Sequence, residues 1–120
     1  MDANELVKRY LATWNERDAE ARRAGITEIW EADGSYVDPL GVAEGREAID
    51  ATIAGAQQMF PDFGFRLAGV VDAHHNLARF TWELGPEGGE AVVVGFDVAV
   101  LSEDGRLRQV HGFLDKVPAQ

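Results

Sequence analysis

Apolar positions in the first half of the chain recur at helical spacing, whereas those in the second half alternate with polar ones. Leu6, Tyr10, Thr13 and Trp14 share one helix face, and Asp2 followed by Glu5 resembles a capping box, so a first helix is predicted over about 3–16. Asp18 can cap a second helix with Ile26, Ile29 and Trp30 on its apolar side. Gly25 weakens the middle of that helix by up to about 1 kcal/mol relative to Ala, and Ala32-Asp33-Gly34 is expected to stop it. Ser35-Tyr36-Val37-Asp38 reads as a short extended piece, because a residue before proline is pushed out of the helical region. Leu40-Gly41-Val42 turns the chain, and Gly45 opens a third helix with Ile49, Ile53, Ala56 and Phe60 on one stripe.

Beyond Pro61 the period changes to two. Phe63, Phe65, Leu67, Gly69 and Val71 alternate as a half-buried strand does, and Ala78, Phe80, Trp82 and Leu84 do so again after a turn at His75-Asn76. Gly85-Pro86-Glu87-Gly88-Gly89 is a strong turn. Residues 91–101 are apolar on both faces, as in a central strand, and Ser102-Glu103-Asp104-Gly105 is a hairpin turn into a last strand over about 106–116. Three helices followed by four strands predict one α+β domain over 1–120, with the helices packed on one face of an antiparallel sheet.

Composition narrows the function. The 120 residues are 46% hydrophobic and carry a formal charge of −10, from 21 Asp and Glu against 11 Lys and Arg. That field repels polyanions, so neither nucleic acid nor an anionic membrane surface is expected as a partner. No apolar run is long enough to span a membrane, and the start MDANELVKRY lacks the pattern of a signal peptide. The absence of cysteine removes disulfides, thiolate nucleophiles and Cys-ligated metals, and makes a cytoplasmic address the expectation.

Three polar residues sit where apolar ones are expected. Asp97 lies in the middle of AVVVGFDVAVL, sharing a face with Val93, Gly95, Ala99 and Leu101. Burial would raise its pKa, and a neutral carboxylic acid can donate a hydrogen bond. The alternative is a buried carboxylate tied to backbone amides, or one turned to water. Asp38 ends a short apolar strand beside Pro39, which fixes the angle of its carboxylate; a turn-initiating Asp is the plainer reading. Tyr10 lies on the apolar stripe of the first helix, as an oxyanion donor or as a packing residue whose hydroxyl finds one partner.

In order, these positions resemble the ketosteroid isomerases of the nuclear-transport-factor-two-like, or SnoaL-like, superfamily. The matching pieces are Lys8-Arg9-Tyr10-Leu11, Val37-Asp38-Pro39-Leu40-Gly41, Gly45-Arg46-Glu47-Ala48-Ile49, and Phe96-Asp97-Val98 followed by Asp104-Gly105-Arg106-Leu107. The resemblance implies a cone-shaped curved sheet, rich in antiparallel pairs and wrapped by three helices, around a deep pocket for a small apolar ligand. It implies cofactor-free isomerisation, with Asp38 as general base and Tyr10 and a protonated Asp97 as donors to a dienolate oxygen. It also implies a homodimer paired through the outer sheet face. Where those isomerases carry further tyrosines, this chain has Trp30 and Ile53. A carrier or dimerisation domain without chemistry is therefore the alternative.

The remaining candidates are fewer. His111, with Asp97 or Asp115, would form a second acid–base set of the kind used by SnoaL-like polyketide cyclases; otherwise it is a strand residue facing solvent. His74 and His75 are adjacent on a strand and point opposite ways, so no metal-binding spacing is present. Arg79 shares a face with Thr81 and Glu83 and reads as solvated. Trp14, Trp30, Phe60, Phe65, Phe80, Trp82 and Phe113, with His111, are the expected pocket lining, although an aromatic set is also what a core is made of.

Overall fold

Aspartates start the first two helices. The Asp2 carboxylate accepts the Glu5 amide at 2.8 Å and opens α1 (Ala3–Asn15), and that of Asp18 accepts the Ala21 amide at 2.8 Å and opens α2 (Ala19–Ile29). Gly25 is where the two helices meet: a methyl group there would lie 3.3 Å from Thr13 Cγ2. The computed structural model describes residues 1–118.

The second helix stops earlier than Ala32-Asp33-Gly34 predicts. Trp30 already begins strand β1 (Trp30–Asp38), which is paired with β2 (Gly41–Glu44) across the Pro39 turn. Trp30 is completely buried, and Gly34 lets the indole lie against its backbone, since a Cβ would come within 2.5 Å of Trp30 Cε3. Gly45, at φ 87°, precedes α3 (Arg46–Met59). Arg46 then reaches back to donate to the carbonyls of Trp30 and Thr27, satisfying acceptors at the end of α2 that the helix leaves free. That contact explains the arginine of the Gly-Arg-Glu piece.

Strands β3 (Gly64–His74), β4 (Leu77–Gly85), β5 (Val93–Leu101) and β6 (Leu107–Lys116) follow as an antiparallel meander. The whole sheet is curved, with strand order β2-β1-β6-β5-β4-β3. It has six strands where the sequence suggested four, and it is mixed, because β1 runs parallel to β6. β3 bulges between Ala68 and Asp72, where Gly69 adopts φ 80°. The helices cover one face of this α+β sheet, and no helix among the described residues is long and apolar enough to cross a membrane.

Two polar clamps fix the helix layer. Buried Arg22 donates to Asp50 Oδ1 at 2.6 Å and to Gln57 Oε1 at 3.0 Å, while Gln57 donates to the Trp14 and Glu16 carbonyls. Asn15 binds both backbone groups of Phe65, at 2.7 and 2.8 Å, and so ties the end of α1 to β3.

Candidate active site

A cavity of about 680 Å3 lies between the helices and the inner face of the sheet. Its wall is mostly apolar, with Leu11 and Trp14 from α1, Phe60 after α3, and Phe65, Trp82 and Leu114 from the sheet. Its polar groups are few: Tyr10, Tyr36, Asp38, Thr52 and Asp97.

Alternation places Asp97 on the inner face with Val93, Gly95 and Ala99, all buried. The side chain is 1% exposed. Its Oδ2 accepts the Tyr10 hydroxyl at 3.1 Å, and its Oδ1 has no partner among the described residues. Burial pushes the carboxyl up to about 6, and the charge of Asp38 adds to this, against opposition from the Trp82 and Tyr10 side chains. Asp97 and Tyr10 thus meet across the α1–β5 interface.

Asp38 ends β1 on the same side of the sheet. Its Oδ2 accepts the Tyr36 hydroxyl at 2.8 Å, and its Oδ1 accepts the amides of Leu40 and Gly41 at 2.8 and 3.2 Å. The turn-initiating reading is realised, and the two amides that make the turn also fix a carboxylate that lines the cavity. Tyr36 was not singled out in the sequence, yet it stands two residues before Asp38, and in a strand that spacing means the same face. Burial foremost, then the charge of Asp97, holds both phenols well above their ordinary range, so Tyr10 and Tyr36 remain hydrogen-bond donors.

Between the two acids runs β6, and the residue there is Gly112, paired with Asp97. A methyl group on Gly112 would lie 3.0 Å from Asp97 Oδ1 and 3.3 Å from Asp38 Cβ. Its φ is not positive, so the glycine serves space and not backbone conformation. Asp38, Tyr10 and Asp97 are brought to one cavity by three separate elements.

Four of the expected lining residues are elsewhere. Trp30 and Phe80 are buried beneath Tyr10, with ring centroids 6.4 and 5.7 Å from its own, and form the core behind the cavity. His111 and Phe113 are on the outer face, because Gly112 and Leu114 take the inward positions of β6. Phe113 is 56% exposed. His111 therefore cannot pair with Asp97, which lies on the other side of the sheet; its ring lies near Gln109, and Asp115 is exposed. His74 and His75 do not point apart as expected: His75 adopts φ 50° and their Nδ1 atoms come to 3.1 Å. No group of three or more His, Cys, Asp or Glu residues among the described residues has the arrangement of metal ligands.

A family model described as the SnoaL-like domain matches residues 7–110. Among solved structures, a provisionally assigned isomerase of the SnoaL-like family from Agrobacterium tumefaciens str. C58 superposes with a TM-score of 0.88 at 44% identity, covering 92% of this chain and 95% of that one. A SnoaL-like protein of unknown function from Burkholderia thailandensis superposes at 0.73 with 16% identity, covering 93% of each chain. A provisionally assigned SnoaL-like polyketide cyclase from Jannaschia sp. CCS1 gives 0.71 at 17% identity, over 93% of this chain and 86% of that one. These last two share the fold. No curated protein is significantly similar to the chain.

Proposed function

The chain belongs to the SnoaL-like domain family, and from that premise we propose that it is a cofactor-free isomerase acting on a small apolar carbonyl compound. The supporting observation is the pair of unlike acids flanking Gly112: Asp38, held by a phenol and two backbone amides, and Asp97, sealed in apolar surroundings. In a substrate whose carbon–carbon double bond is one carbon removed from the carbonyl, Asp38 takes a proton from the carbon between the two. The C–H electron pair becomes part of a dienolate, and charge moves to the oxygen. Asp97 in its acid form, backed by the Tyr10 hydroxyl, donates to that oxygen. Asp38 returns the proton to the far carbon, so the double bond shifts and no other reactant is consumed.

The resting geometry alters one expected role. Tyr10 points its hydroxyl at Asp97, so it acts on the oxyanion through Asp97 unless the ligand draws the phenol away. Turnover of a 5-ene-3-ketosteroid by the parent and by Asp38→Asn tests the proposal. A parent rate above background that is lost in the variant is expected; no parent rate, or equal rates, refutes it.

A second reading has its own observation. Both oxygens of Asp38 already accept hydrogen bonds, as they would in a carrier that binds without chemistry. Recovery of a tightly bound apolar carbonyl ligand unchanged after long incubation would favour that reading.

A further inference from the structure

The polar and apolar ends of the cavity are separated. Tyr10 and Asp97, 2% and 1% exposed, are at its closed end. Leu40, Val42, Met59 and Val117 also line it, yet they are 79%, 68%, 67% and 57% exposed. They come from the β1–β2 hairpin, the end of α3 and the segment after β6, three places distant in the chain. Half of the large exposed apolar residues among those described therefore border one opening. Apolar side chains left in water at a single mouth gain most when a ligand covers them.

Resting on the isomerase reading, we propose that the substrate is an elongated amphiphile: a carbonyl head at Tyr10 and Asp97, an apolar body filling the cavity, and an apolar tail lying across the rim formed by Leu40, Val42, Met59 and Val117. The rim is continuous with the cavity wall, so one molecule can cover both. A compact ketone would leave these side chains in water. Their exposure also means that replacing them spares the core.

The 4-alkylphenols from methyl to dodecyl, each below its micelle concentration, serve as probes, with a hydroxyl head and a graded tail. Binding is measured by calorimetry on the parent and on the triple variant Val42→Ser, Met59→Ser, Val117→Ser, which leaves Leu40 and its bond to Asp38 in place. Affinity is expected to climb by up to about fourfold per methylene along the series. The triple variant should bind 4-methylphenol as the parent does and 4-dodecylphenol about tenfold or more weakly. A plateau at short chains, equal loss for both phenols, or no loss for either overturns the proposal. So does a phenol series untouched by the triple variant when phosphatidylcholine vesicles bind the parent only, which would make the rim a membrane contact. None of these readouts depends on turnover, so failure of the ketosteroid assay is a separate result.

Discussion

Replacing Asp97 by Asn should stabilise the fold, and by an amount that depends on pH. Burial pushes the Asp97 carboxyl from an ordinary value of 3.8 up to about 6. Folding thus favours the acid form. The stability it contributes is present below the unfolded value and is lost as pH climbs from about 4 through about 6. The full difference is about 3 kcal/mol, of which about 2 kcal/mol falls between roughly pH 4.5 and pH 8. An amide carries no charge at either pH, and its oxygen can still accept the Tyr10 hydroxyl. Urea unfolding of parent and variant at those two pH values isolates the effect, because every other carboxylate is common to both. The stability gap in favour of the variant should widen by about 2 kcal/mol at the higher pH, roughly a 1 M change in the separation of midpoints. A gap that stays constant would mean that Asp97 is solvated in the folded protein, and would remove the basis for its role as a donor.

The same titration predicts the rate profile: if Asp97 must hold a proton, kcat/KM should fall as the pH rises through about 6, and a flat profile through that range would exclude an acid role. Tyr36→Phe removes the hydroxyl donor to Asp38 Oδ2 and should lower kcat by about tenfold with KM little changed; an effect on KM alone would make Tyr36 a binding residue. Arg46→Ala strands the carbonyls of Trp30 and Thr27 and should cost about 1–3 kcal/mol in urea unfolding, whereas an unchanged midpoint would show that water replaces the guanidinium. We propose that the outer sheet face, with exposed Phe113 and half-buried Phe96 and Val98, pairs two copies; light scattering should give twice 13.1 kDa, and a single-chain mass refutes pairing.

Local chemistry made much of this legible in the sequence. The caps at Asp2 and Asp18 and the glycine before α3 set the three helix starts within a residue of where they lie. Period two put Asp97 among inward neighbours. Alternation groups residues, however, without saying which group faces in. In β6 the small Gly112 and Leu114 face the cavity and the larger His111 and Phe113 face out, so size misled the reading. β1 was mostly missed because Ala32-Asp33-Gly34 resembles a helix stop, and its pairing with β6 joins residues from opposite ends of the chain. Buried Arg22 escaped notice for a similar reason: only the distant Asp50 and Gln57 make its burial tolerable. Spacing alone puts Tyr36 on the same strand face as Asp38.

The bond from Tyr10 to Asp97 spans 87 residues. During synthesis the phenol emerges early and waits for a strand made near the end. Until that strand joins its neighbours under the first helix, the acid is bathed in water and titrates like any other. Its unusual affinity for a proton is therefore a property of the finished molecule, and no fragment ending before β5 can possess it.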